Sequence, residues 1–192
     1  MTFSKTMVWA GAAFFLGVVT LAAGKEEKKE AESFVLPKPG PEHEGLKIEE
    51  GVWDATIEMK ETPESAPVVS RGLETNTMTC GGLWILYNFT GQLGPGLFQG
   101  HGVIGYDPVK KKYVGTWVDS MSTSISPLEG TYDKDLKTLT FLSEVRDPAG
   151  KLEKRKSVTE LKDRDLRVWT AYFKDSAGKE FPWLRITYKR RK

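Results

Sequence analysis

From Gly51 to the C-terminus, apolar and polar positions alternate with a period of two. Trp53, Ala55, Ile57 and Met59 fall on one face, and Asp54, Thr56, Glu58 and Lys60 on the other. That is the pattern of a strand with one buried and one wet side. The same reading predicts strands over 69–80, 83–92, 97–106, 112–121, 125–132, 137–145, 152–162, 166–174 and 181–190. Short polar turns separate them, among them Asp133-Lys134-Asp135, Lys162-Asp163-Arg164-Asp165 and Asp175-Ser176-Ala177-Gly178, all of hairpin length. No intervening segment is long enough for a helical crossover, so the expected fold is all-β, an antiparallel up-and-down sheet of about ten strands. An open sheet of that width exposes two edges, and closure into a barrel removes them. Closure places the strand of Trp53 beside Leu184-Arg185-Ile186-Thr187-Tyr188.

Upstream the pattern changes. Lys5 precedes an apolar run over 7–23, and Ala22-Ala23-Gly24 then meets the charged block 25–32. This is the three-part layout of a signal peptide over 1–24, cleaved after Ala23 or Gly24. The run is short for a membrane span, and retention as an anchor is the alternative. The expected mature protein is exported, periplasmic or extracellular, and free of the membrane. Residues 25–40, charged and then proline-rich, read as a flexible linker. Residues 41–192 read as the barrel domain, opened by a short helical or coil segment that is acidic in its first turn and able to plug one end. Cys80 is the only cysteine, so the exported chain folds without an internal disulfide.

Charge and motifs mostly exclude functions. With 28 Lys and Arg against 26 Asp and Glu, the net charge is +2, without the concentrated basic excess of nucleic-acid binders. The glycines of Gly100-His101-Gly102-Val103-Ile104-Gly105 have dinucleotide-fingerprint spacing, but the segment runs through a turn into another strand. No helix is available to face a pyrophosphate, so the glycines are read as backbone devices of a strand. His43, His101 and Cys80 lack the spacing of a zinc site, and no metal or cofactor is expected.

Several stretches together carry a resemblance. Gly40-Pro41-Glu42-His43, Gly51-Val52-Trp53-Asp54, Gly105-Tyr106-Asp107 with Lys112-Tyr113-Val114, Thr116-Trp117-Val118-Asp119-Ser120-Met121-Ser122-Thr123, Glu129-Gly130-Thr131-Tyr132-Asp133 and Ile186-Thr187-Tyr188 resemble the exported bacterial family catalogued as domain of unknown function 1579. The resemblance covers roughly 41–192 and implies a lipocalin-like fold and export, without an established activity. A looser similarity joins the chain to nitrobindin and the fatty-acid-binding proteins. Nitrobindin ligates haem through a histidine near its closing strand, and Phe181-Pro182-Trp183-Leu184-Arg185-Ile186 contains none.

The most distinctive polar run is Trp117-Val118-Asp119-Ser120-Met121-Ser122-Thr123-Ser124. Alternation puts Trp117, Asp119 and Met121 on the face of Tyr113, so Asp119 is expected near a barrel mouth. There it either contacts a ligand or fastens the strand end to backbone amides. Six Trp, six Tyr and nine Phe serve as core filler and also suit an apolar cavity. The expected function is non-enzymatic binding of a small, largely apolar ligand, with Trp53, Tyr106, Tyr113, Trp117, Asp119, Met121 and Arg185 as contacts. One alternative is a hydrolase or isomerase using Asp119 and His101 in the same cavity. The other is a structural or interaction domain with a filled barrel. No G-x-S-x-G elbow accompanies the serines.

Overall fold

The computed structural model describes residues 35–93, 96–146, 150–175 and 177–192. The signal segment and most of the linker lie outside them. Residues 37–192 form one unit. It contains a helix α1 (His43–Ile48) and ten strands. These are β1 (Gly51–Met59), β2 (Val68–Thr79), β3 (Trp84–Leu93), β4 (Gly96–Asp107), β5 (Lys112–Asp119), β6 (Ser126–Asp133), β7 (Thr138–Arg146), β8 (Leu152–Leu161), β9 (Leu166–Lys174) and β10 (Glu180–Arg190). Each strand pairs antiparallel with the next, and β10 closes on β1, giving a ten-strand up-and-down barrel. At the seam Ala55 faces Tyr188 and Ile57 faces Ile186, so apolar side chains meet on the inner side of the closing pair.

Turn chemistry repeats along the chain. Asp107 Oδ1 accepts the amides of Val109 and Lys110, and Asp133 Oδ1 those of Asp135 and Leu136. Asp163 does the same for Asp165, and Asp175 for Ala177 and Lys179. A carboxylate bonded to amides two or more residues ahead competes with the ladder and ends the strand. Asp119 is a further case, since its Oδ1 accepts the amide of Met121 at 2.9 Å. That capture stops β5 at Asp119, two residues before the expected end at Met121.

The glycines of the fingerprint-like segment make room for rings. A Cβ on Gly100 would lie 2.2 Å from the Trp117 indole, one on Gly102 2.9 Å from the same ring, and one on Gly105 2.6 Å from Trp84. Gly130 stands likewise beneath Phe141, and Gly91 beside Phe89. Aromatic side chains thus cover glycines, most of them on a neighbouring strand, which lets the sheet bend without leaving gaps.

Two clusters fill the interior. One joins Trp53, Ala55, Ile57, Phe89, Ala171, Leu184, Ile186 and Tyr188. The other joins Leu46, Ile85, Tyr87, Ile104, Tyr113, Leu139 and Phe141. Trp117 packs against both. Leu46 of α1 is fully buried in the second cluster, so the helix plugs this end of the barrel.

Candidate functional site

Three environments offer chemistry. The first is a buried charge cluster just beneath α1. Glu49, which ends the helix, places Oε2 3.2 Å from Arg167 Nη1, while Arg167 Nη2 donates to Glu74 Oε1. Asn76 Nδ2 donates to Glu74 Oε1 at 2.7 Å and to the Glu49 carbonyl at 3.0 Å, and Trp53 Nε1 donates to that carbonyl at 2.9 Å. The guanidinium lies 4.0 Å from the Tyr188 ring centre and 4.7 Å from that of Trp53, and Arg190 stacks on Trp53 at 4.1 Å. Arg190 also donates to the carbonyls of Ile48 and Glu50 at the end of the helix.

Electrostatics in this cluster follow from burial. Desolvation raises the Glu49 carboxyl pKa, against the attraction of Arg167. Burial, followed by the nearby carboxylates, pushes the Tyr87 and Tyr188 phenols well above their ordinary range. Burial opposes the charge on Arg167, but Glu74 and Glu49 outweigh it and raise its pKa. The three charged side chains are 3% to 5% exposed, so a substrate has no approach. The cluster pins the plug to the wall.

The second environment is a cavity of about 250 Å³ at the edge of the plug, lined by Pro41, Glu42, Tyr106, Tyr113, Tyr132 and Lys134 among others. Tyr106 and Tyr113 meet edge to face at 5.4 Å. The Tyr113 hydroxyl donates to the Glu42 carbonyl at 2.8 Å, and burial, with Glu42 next, pushes its pKa up to about 12. His43 packs edge-on against Tyr106, and its Nδ1 accepts the amide of Gly40. These residues hold the plug segment in place.

The third environment is the end opposite α1. Here Phe98, Trp117, Trp169 and Trp183 pack against the core while remaining only partly buried. Trp169 is in register with Thr159 and Ile186, both buried, so it faces inward. Trp117 Nε1 donates to Asp119 Oδ2 at 3.0 Å, which fixes the indole over the two glycines.

The seven sequence candidates therefore do not converge. Trp53 is 1% exposed inside the charge cluster, and Tyr106 and Tyr113 support the plug. Trp117 and Asp119 stand together at the opposite end. Met121 is 77% exposed in the following turn, and Arg185 is exposed on the outer face between the inward Leu184 and Ile186. His101 is exposed and pairs with Asn88 Oδ1 at 2.9 Å. It lies on the outer face, opposite Val118, whereas Asp119 turns inward, so the two share no cavity. Sequence reasoning missed Arg167, Glu49 and Glu74. A charged residue in phase with Trp169 and Ala171 was the available signal for Arg167.

Asp119 carries a direct test. Replacement by Asn leaves one acceptor for two donors, so Asp119→Asn should lower stability by about 0.5–1.5 kcal/mol. Urea melts of the two proteins check this, and unchanged midpoints would show that neither bond contributes.

A closed up-and-down barrel with a helical plug is a lipocalin-like architecture. This chain belongs to the DUF1579 family of proteins of unknown function, whose profile matches residues 38–190. No curated protein matches its sequence. Among solved structures it is similar to the S-type phycobiliprotein lyase CPES from Guillardia theta, with a TM-score of 0.55 and 14% identity over 78% of this chain and 92% of that one. At that identity the likeness is one of fold.

Proposed function

We propose that the protein is an exported, non-enzymatic binding protein that takes a small, largely apolar ligand into its lumen through the end opposite α1. The observation that carries this reading is the set of inward, partly exposed aromatic side chains Phe98, Trp117 and Trp169. Pockets for small apolar molecules have this lining, aromatic walls with a few polar groups. Binding also fits the placement of His101 and Asp119 on opposite faces of the sheet, which separates the pair that hydrolysis or isomerisation would require. Export is supported by the sequence pattern of residues 1–24.

Native mass spectrometry of protein purified from its own host tests the reading. The expected spectrum contains one small molecule per chain that is lost on denaturation. The Trp169→Ala protein should carry less of it. Ligand-free protein that also fails to bind an apolar fluorescent dye would favour a filled structural domain. N-terminal sequencing of the same sample should begin just after residue 23 or 24, and a retained Met1 would refute cleavage.

A further inference from the structure

We infer, on the basis of the binding reading above, that the ligand is an amphiphile with a single carboxylate, received at the end opposite α1 between Arg155 and Trp183, which flank the ring of Phe173. Two buried N–H donors, Arg155 Nε and Trp183 Nε1, have no acceptor among the described residues. Buried donors are costly when unpaired and are nearly always satisfied, so two beside the same ring call for an explanation. The Arg155 guanidinium lies 5.3 Å from the Phe173 ring centre, and the Trp183 ring 6.3 Å from it.

The fold delivers both groups to this place. Arg155 is opposite Ser143 on β7 and in phase with Ser157 and the buried Thr159, which sets it on the inner side of β8. Trp183 sits where the register of β10 shifts between Pro182 and Leu184. Such an irregularity re-aims one side chain, and here it brings Trp183 against the core. Phe173 is 39% exposed near the end of β9, and its other ring neighbour is Phe181 at 6.4 Å. Because β9 lies between β8 and β10, the Phe173 ring stands between the two donors.

The charge of the site selects the ligand group. Arg155 is one-third exposed, and its ion pair with Glu153 is long, 3.7 Å from Nη2 to Oε2. One guanidinium edge and one indole N–H suit a flat monoanion, for which Arg offers paired parallel donors. Glu153 would repel a dianion such as a phosphate monoester. The apolar body then rests against Trp169, two inward positions before Phe173 on β9, and against Trp117 and Phe98.

Calorimetric titration of the mature protein with naphthylacetate and with uncharged naphthylethanol separates the claims. The carboxylate should bind about tenfold or more tightly than the alcohol. Arg155→Met should erase that preference while leaving the affinity for the alcohol unchanged, which also shows that the variant is folded. Glu153→Gln should widen the preference by removing the competing acid. Equal binding of the two probes by the wild type, or a preference that survives in Arg155→Met, overturns the carboxylate assignment and leaves the lumen reading standing. Binding of neither probe overturns both.

Discussion

Replacing Arg167 with methionine is expected to lower folding stability by about 3–5 kcal/mol at neutral pH, because it strands two buried carboxylates without their cation. Glu49 and Glu74 both contact the guanidinium, and neither can reach water. The loss should shrink as pH falls, since stranded carboxylates recover by taking up protons. Glu49→Gln makes the complementary case. The folded-state pKa of Glu49 is raised above its ordinary value of 4.5. Its ionisation therefore costs stability fully above the folded pKa, and the cost vanishes below 4.5. The stability of Glu49→Gln relative to wild type should improve as pH rises from 4.5 through that raised value. Urea unfolding of the three proteins across this range provides the check. A pH-independent difference between Glu49→Gln and wild type would mean that Glu49 is not desolvated as described.

Trp53→Ala should cost about 3–5 kcal/mol, the range for deleting a large aromatic from a packed core. Trp53 is 1% exposed and lies in contact with both Arg167 and Arg190. Its removal opens a cavity beside the charge cluster and withdraws two cation–π contacts. Trp53→Phe separates packing from hydrogen bonding. The Glu49 carbonyl keeps the Asn76 amide as a donor when the indole N–H is lost, so this change should cost only about 1–2 kcal/mol. Equal losses for the two variants would assign the role of Trp53 to the hydrogen bond alone. The measurement is the urea midpoint, and both proteins should retain the far-ultraviolet spectrum of a sheet.

The Arg167, Glu49 and Trp53 variants address the same structural point, the attachment of the plug. Leu46 supplies apolar burial, and the carbonyls of Ile48, Glu49 and Glu50 receive side-chain donors from Arg190, Trp53 and Asn76. A six-residue helix has no stability of its own, so these contacts decide whether it forms.

Legibility differed from strand to strand for a physical reason. In β1 the phase was plain, because Trp53, Ala55 and Ile57 are apolar and their neighbours are largely not. In β2 it was hidden, because the inward positions are Gly72, Glu74, Asn76 and Met78 while Leu73 faces out. That phase is imposed by pairing, with Gly72 opposite Ala55 and Gly91, and by the Phe89 ring that occupies the space above both glycines. Asp119 was legible as a strand-end residue at the mouth, but its choice of partners depended on where the Trp117 indole settled.

By itself the sequence determined the strand count, the antiparallel order, the closing pair and the turns, because period-two alternation and Asp-led turns act within a few residues of one another. Tertiary structure alone decided which polar groups meet. Arg167 and Glu74 are 93 positions apart, and Arg190 and Ile48 are 142 apart. Arg167 shows in its own segment only as a charge in phase with Trp169 and Ala171; closure supplies its carboxylate partner, and likewise carries the helix-end carbonyl of Ile48 to Arg190. The partial burial of Phe98, Trp117 and Trp169 was decided in the same way, by where ten strands bring their inward rings together.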